Sequence, residues 1–241
     1  MNLEKGQLSK SMNNGDVKYC STVRILDDVS TGKVIVKLDE KGDATYVLLT
    51  PAALGFVSLN AEDFPDIKKA DAFVYGSVGL RMDYNQKQVD SFLKDYNGLK
   101  CFDVNLRLPH NSIELVLKYA QKTDFVKLNN DEINLLTSHM AKNSSVKDRM
   151  LSLSESLNVD KLCVTRAERS AVMLFHGSFY EGNTFPVSIK DTVGAGDAFF
   201  AAMIDALLKD DFDPLKALNK ATELGSWVAS QQGAQPNYNP V

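Results

Sequence analysis

Residues 191–200 read DTVGAGDAFF. A turn leads into three small residues, Gly194, Ala195 and Gly196. Asp197 follows, then a run that is apolar almost all round, Ala198 to Ile204. The pattern predicts a buried helix whose first turn carries no bulk. Its free backbone N–H groups can point at an anion, and the helix dipole adds partial positive charge there. Asp197 sits among those donors. A carboxylate beside a phosphate-sized anion hole makes electrostatic sense if it takes a proton. Phosphoryl transfer to a hydroxyl needs such a base, together with fixed donors for the charge on the moving group. Taken alone, the string equally fits a glycine-rich cap with Asp197 as an ordinary first-turn acid.

The bulk properties narrow the field. The chain has 241 residues, 44% hydrophobic and 24% charged, as expected of one soluble domain with a sizeable core. With 27 basic and 31 acidic residues it carries a net charge of -4 and no basic block, which gives nucleic-acid or membrane-surface binding no electrostatic support. Cys20, Cys101 and Cys163 are scattered and odd in number; the last two lie in apolar runs and read as buried thiols of a reducing compartment. The polar opening MNLEKGQLSK is no signal peptide, and no apolar run reaches spanning length. A cytoplasmic protein is expected.

Residues 33–49 predict a hairpin. Val34, Val36 and Leu38 alternate with Lys33, Ile35 and Lys37, residues 39–42 supply the turn, and Ala44 to Leu49 returns. Then the period changes. Strands are expected at 72–76, 100–104, 125–128 and 161–165, and helices near 85–96, 113–121, 130–138 and 145–157. A second hairpin follows, 171–175 with 179–181 around His176-Gly177. The helix after Asp197 and another near 215–231 close the chain. The alternation predicts an α/β fold, a mostly parallel doubly wound sheet with helices on both faces. In such sheets ligands bind at the carboxyl ends of the strands. Asp103, Asn105 and Arg107 follow one strand. Lys127 and Asn129 end the next, with Glu132 a turn later, and Thr165 and Arg166 end a third. Each alone fits a helix cap or a loop charge; their convergence on one edge is the stronger observation.

The ten-residue string, and with it nearly the whole chain, resembles the ribokinase (PfkB) family of carbohydrate kinases, the fructokinase branch above all. The resemblance implies a single ribokinase-like domain over 1–241, with a small β lid contributed by about 31–50. It implies ATP-dependent phosphorylation of a small sugar, most simply fructose, with Mg²⁺ and possible K⁺ as cofactors. Asp197 would be the base, Gly194, Ala195 and Gly196 the anion hole, and Arg107 a phosphate ligand. The sugar would meet Gly76 and Ser77 of FVYGSVGLR (73–81), and Asp103 and Asn105 of FDVNLR (102–107). Asn129 and Glu132 of KLNNDE (127–132) would hold magnesium through water, a sufficient arrangement for an ion that keeps its waters. Lys127, Thr165, Arg166, Asn219 and Gly233 would serve the nucleotide, Asn219 against adenine. Gly233 of ASQQGAQP (229–236), with Asp191 and Val193, would hold a monovalent cation. Lid sheets in the family pair between subunits, so a homodimer through the 31–50 hairpin is a further expectation.

Three departures stand out. The opening twenty residues resemble a stretch well inside longer relatives, so a first strand, a sugar-binding Asp and a paired-Gly segment are expected to be missing, and fructose turnover to be poor. The nucleotide loop reads Thr165-Arg166-Ala167-Glu168-Arg169-Ser170 where the family has Thr-x-Gly-x-x-Gly; a need for positive φ would strain Ala167 and Ser170 and weaken nucleotide binding. Ala53-Leu54-Gly55 stands where fructokinases often have Ala-Trp-Asp. Two alternatives follow: an impaired or truncated relative that binds nucleotide without turning over sugar, and a kinase for a nucleoside or another small alcohol. A dinucleotide-binding oxidoreductase is disfavoured, since no Gly-x-Gly-x-x-Gly opens an early βαβ unit.

Overall fold

A computed structural model of the chain describes residues 26–38, 44–48, 52–60, 66–107 and 112–237. The opening twenty residues, Cys20 and the 39–42 turn lie outside them. The described residues fall into two compact units, one drawn from the ranges 1–70 and 79–97 and the other from 71–78 and 98–241.

In the first unit β1 (Val34–Leu38) pairs antiparallel with β2 (Ala44–Leu48), Val34 opposite Leu48 and Leu38 opposite Ala44. The two form a sheet of their own, apart from the main one, as the two-residue alternation predicts. Helix α1 (Asp83–Leu93) supplies the unit's polar staple. The buried Asn85 carboxamide donates to the carbonyls of Leu54 (2.8 Å) and Gly79 (2.7 Å) and accepts from the Val57 N–H (2.8 Å). A loop that packs a buried amide group in this way satisfies backbone groups that water no longer reaches.

The second unit is a six-stranded sheet in sequence order, β3 (Ala72–Gly76), β4 (Leu99–Asp103), β5 (Phe125–Asn129), β6 (Lys161–Thr165), β7 (Ala171–Phe175) and β8 (Ser178–Glu181). The first four are parallel and the last two antiparallel. The central strands are buried on both faces, which is why they read as continuous apolar runs. Tyr75, Phe102 and Tyr119 pack rings on one face, the last from α2 (Ile113–Ala120). The helices α3 (Asn130–Leu136) and α4 (Val146–Leu157) follow β5. Cys101, Phe125, Cys163 and Met173 face the other way, onto α5 (Ala195–Leu207) and α6 (Pro214–Ala229). Caps set the helix starts. Ser112 begins α2, reciprocal boxes of Asn129 with Glu132 and Ser145 with Asp148 begin α3 and α4, and Asp213 with Pro214 begins α6. The parallel strands deliver Gly76, Asp103, Asn129 and Thr165 to one edge of the sheet.

Candidate active site

Helix α5 begins at Ala195, with Gly194 as its cap at φ +83°. A Cβ on Gly194 would lie 2.5 Å from the Ala234 carbonyl oxygen, so both the dihedral and the space require glycine. The preceding turn is pinned. The N–H groups of Lys190 and Asp191 donate to the Ala229 carbonyl (2.9 and 3.2 Å), and the Asp191 carboxylate accepts from the N–H groups of Val193 (3.0 Å) and Gly233 (3.2 Å). The N–H groups of Gly194, Gly196 and Asp197 have no acceptor among the described residues. They are open donors at a helix start, the kind of place where an anion can be met. Asp197 is exposed beside them, and the helix behind it buries Phe199, Phe200 and Met203.

Below this helix start Lys127 and Asp103 form an ion pair, Nζ 3.1 and 3.3 Å from the carboxylate oxygens, with side chains only 10% and 14% exposed. Lys127 Nζ is 3.2 Å from where a Cβ on Gly196 would sit, so the ammonium lies directly against the first turn of α5. Burial pushes the Asp103 carboxyl above the usual range; Lys127 pulls it back, the Asp197 charge raises it, and Arg107 lowers it. One acidic pair and two cations therefore share this small space. Gly76 lies against the backbone of Asp103, the Ser77 N–H donates to the Asp103 carbonyl (3.4 Å) and the Ser77 hydroxyl to that of Asn105 (3.0 Å). Ser77 is fully buried, so its hydroxyl ties two strand ends together. Asn105 bends the chain at φ +34° and the exposed Arg107 follows.

A cavity of about 620 Å³ runs from this helix start to the loop after β6, bordered by Gly196, Thr165, Arg166, Ala167 and Ser170. Its far wall is largely apolar: Val187 and Ile189 from the segment after β8, Phe199 from α5, and Thr222, Gly225 and Ser226 from α6. Sequence reading missed this wall because residues 182–190 have no periodicity to read. Ala167 and Ser170 both take positive φ, +50° and +70°, Ser170 with ψ -173°, a region nearly reserved for glycine. The two residues hold about 1–3 kcal/mol of strain each.

Three residues read as ligands are engaged elsewhere. Glu132 is buried; one carboxylate oxygen accepts the Leu106 N–H and the other the Asn129 N–H, both at 2.8 Å. Burial raises its carboxyl, and those two donors oppose the rise. Asn129 caps α3 through its side-chain oxygen. Each Glu132 oxygen still has a lone pair free for water, and no cluster of three or more His, Cys, Asp or Glu side chains suited to a metal occurs among the described residues. That donor set fits a hydrated divalent ion clasped by phosphates, not a caged one. Asn219, expected against adenine, has a backbone partner. Its carboxamide oxygen accepts the Asn183 N–H (2.7 Å), and the cavity wall is formed one turn on, at Thr222.

The pfkB family carbohydrate kinase model matches residues 5–240. The chain belongs to that family. Probable fructokinase-3 of Arabidopsis thaliana is 28% identical over 188 residues, 70% of this chain and 52% of that protein. Fructokinase of Salmonella typhimurium is 25% identical over 222 residues, 86% of this chain and 70% of that one. Thus the chain spans from about half to about two thirds of these relatives' lengths. Among solved structures, fructokinase from Vibrio cholerae O395 in its fructose, ADP and calcium ion bound form superposes with a TM-score of 0.72 at 25% identity, covering 86% of this chain and 69% of that one. Fructokinase with bound ATP from Xylella fastidiosa gives 0.73 at 23%, covering 87% and 70%. These likenesses agree with the six-stranded, mostly parallel pfkB architecture described above.

Proposed function

We propose that this pfkB-family chain transfers the γ-phosphoryl group of ATP to a hydroxyl of a small sugar, fructose in the first instance. The observation that carries the reading is Asp197, an exposed carboxylate on a helix start whose neighbouring N–H groups are open, at the mouth of a nucleotide-sized cavity. The adenosine would occupy the apolar end of the cavity and the triphosphate would run past Thr165 toward Gly196. Asp197 accepts the proton of the acceptor hydroxyl as its oxygen forms a bond to the γ-phosphorus. The bond from phosphorus to the β,γ-bridging oxygen breaks and ADP departs with that electron pair. The N–H groups of Gly194, Gly196 and Asp197 and the Arg107 guanidinium would meet the charge on the transferring oxygens, while the Ala195 N–H, which the resemblance places among these donors, is bonded to the Thr192 carbonyl (3.3 Å); Lys127 adds positive field beneath them. Magnesium, when bound, neutralises the phosphates, and Asn129 and Glu132 would orient its waters. Asp191, with the backbone of Val193 and Gly233, would hold a monovalent cation that stiffens the same turn.

Asp103 and Asn105 would receive a sugar hydroxyl. The test is ADP release from MgATP with fructose, ribose, glucose and a nucleoside in parallel. Fructose-dependent release supports the assignment. Release only with the nucleoside moves the acceptor class, and release with none leaves a nucleotide-binding relative, the reading that strained Ala167 and Ser170 favour.

A further inference from the structure

The loop that lost both glycines keeps a glycine-like backbone, and something must hold it there. Arg166 is the group in place to do so. Its guanidinium donates to the carbonyl of Arg169 (2.9 Å), the hydroxyl of Ser170 (3.2 Å) and, through Nε, the carbonyl of Ser170 (3.5 Å). The same nitrogen that reaches Arg169 and Ser170 forms a charged hydrogen bond to the Glu181 carboxylate at the end of β8. Backbone bonds close the loop from within, the Arg166 N–H to the Ser170 carbonyl and the Arg169 N–H to the Arg166 carbonyl, each 3.1 Å. Glu181 is itself flanked by Lys147 of α4 at 4.0 Å. The Arg166 side chain is 17% exposed, so the fork works partly shielded from water.

We infer that Arg166, held by Glu181, is a positioning residue that fixes residues 166–170 in the conformation two glycines would otherwise adopt freely. A non-glycine residue at φ +70° with ψ near 180° relaxes unless its surroundings over-determine it. Here the planar fork of one arginine reaches two successive carbonyls and a hydroxyl of the strained segment, the two N–H groups of Nη2 being shared among the Arg169 carbonyl, the Ser170 hydroxyl and the Glu181 carboxylate that sets the fork's direction. Both ends of the brace are anchored in regular structure, Thr165 at the end of β6 and Glu181 at the end of β8. Strain and restraint thus coincide on the same five residues. The affinity half of this inference rests on the cavity being the nucleotide pocket; the conformational half does not.

The experiment is a cycle of variants read two ways. Arg166→Leu and Glu181→Ala are made in the parent chain and in an Ala167→Gly/Ser170→Gly background. Amide exchange of peptides spanning 165–171 is followed in nucleotide-free protein, and the magnesium complex of the ATP analogue AMP-PNP is titrated by calorimetry. In the parent chain both variants speed exchange and weaken AMP-PNP by about tenfold, the usual scale for residues coupled in one network. In the glycine background both losses shrink to about twofold. Glu181 does not line the cavity, so the comparison of the two backgrounds separates an effect through the loop, which shrinks with the glycines, from an effect of charge, which does not. Unchanged exchange in the parent chain, or equal losses in both backgrounds, overturns the inference. If no form binds AMP-PNP, the nucleotide reading of the cavity fails and the exchange data alone decide the brace.

Discussion

At the scale of the residue, the site depends on charges that are buried and matched. Asp103 and Lys127 neutralise each other beneath the start of α5, each largely out of water. Asp103→Asn would leave the ammonium with no carboxylate in contact, and removing one partner of a buried pair costs about 3 kcal/mol. The expected outcome is a clear fall in the urea midpoint with an unchanged slope. A loss below about 0.5 kcal/mol would mean that solvent already screens the pair. Glu132 makes a different point. Its two oxygens hold two N–H groups, one opening α3 and one fixing Leu106 just before Arg107. Glu132→Gln offers an amide NH₂ to one of those donors, so a buried N–H goes unpaired at a cost of about 1–3 kcal/mol. Thermal unfolding should register it even without ligand. If instead the variant keeps its melting point and loses only magnesium dependence, Glu132 acts on the ion and not on the backbone.

Elements explain which parts of this site were legible. The strands were, because burial on both faces writes itself as short apolar runs, and the observed bounds of β3 and β6 coincide with those expected. The start of α5 was legible because three small residues, Gly194, Ala195 and Gly196, open so apolar a run. The brace was not, since Glu181 lies on another strand, fifteen residues from Arg166, and spacing carries no sign of it. Ser77 and Glu132 show their polarity in sequence, but not the backbone groups they hold. Asn219 is expected against adenine, and its bond to the Asn183 N–H could not be read from spacing. The loop after β6 refines an expectation as well. Its strained residues were read as a threat to nucleotide affinity, but a braced loop stores the cost in stability. Ala167→Gly/Ser170→Gly should therefore raise the melting temperature by several degrees, as release of about 1–3 kcal/mol per residue, less the entropy of glycine, implies. No rise would show that the loop carries little strain. On β4 and β6, burial pushes the thiols of Cys101 and Cys163 up to about 12. Folded protein binds those protons above the ordinary thiol value of about 8.5, where the unfolded chain releases them. Their contribution is whole below that value and is lost as pH rises toward 12. Iodoacetamide at pH 8.5 should leave both unlabelled until urea is added, as peptide mapping would reveal; labelling of the folded protein would contradict the packing.

For the whole molecule, the account joins a cavity, an anion hole and a base within the second unit. No helix among the described residues is long and apolar enough to cross a membrane, and the comparisons establish the pfkB family. A ligand that binds only the folded state adds about 2.7 kcal/mol at 100 times its Kd, a rise in melting temperature of about 5–10 °C for a chain of this size. MgADP should produce that rise, and Arg166→Leu should reduce it at equal nucleotide concentration. No shift with saturating MgADP would remove the nucleotide from the cavity. Chemistry is the stricter question, and Asp197 is where it concentrates. The decisive measurement is fructose-dependent ADP release by Asp197→Asn against the parent chain, at saturating MgATP. The account predicts turnover lowered by about 100-fold or more, with nucleotide affinity within a few-fold, because a general base is lost and the anion hole is kept. Equal turnover by the two proteins would contradict it.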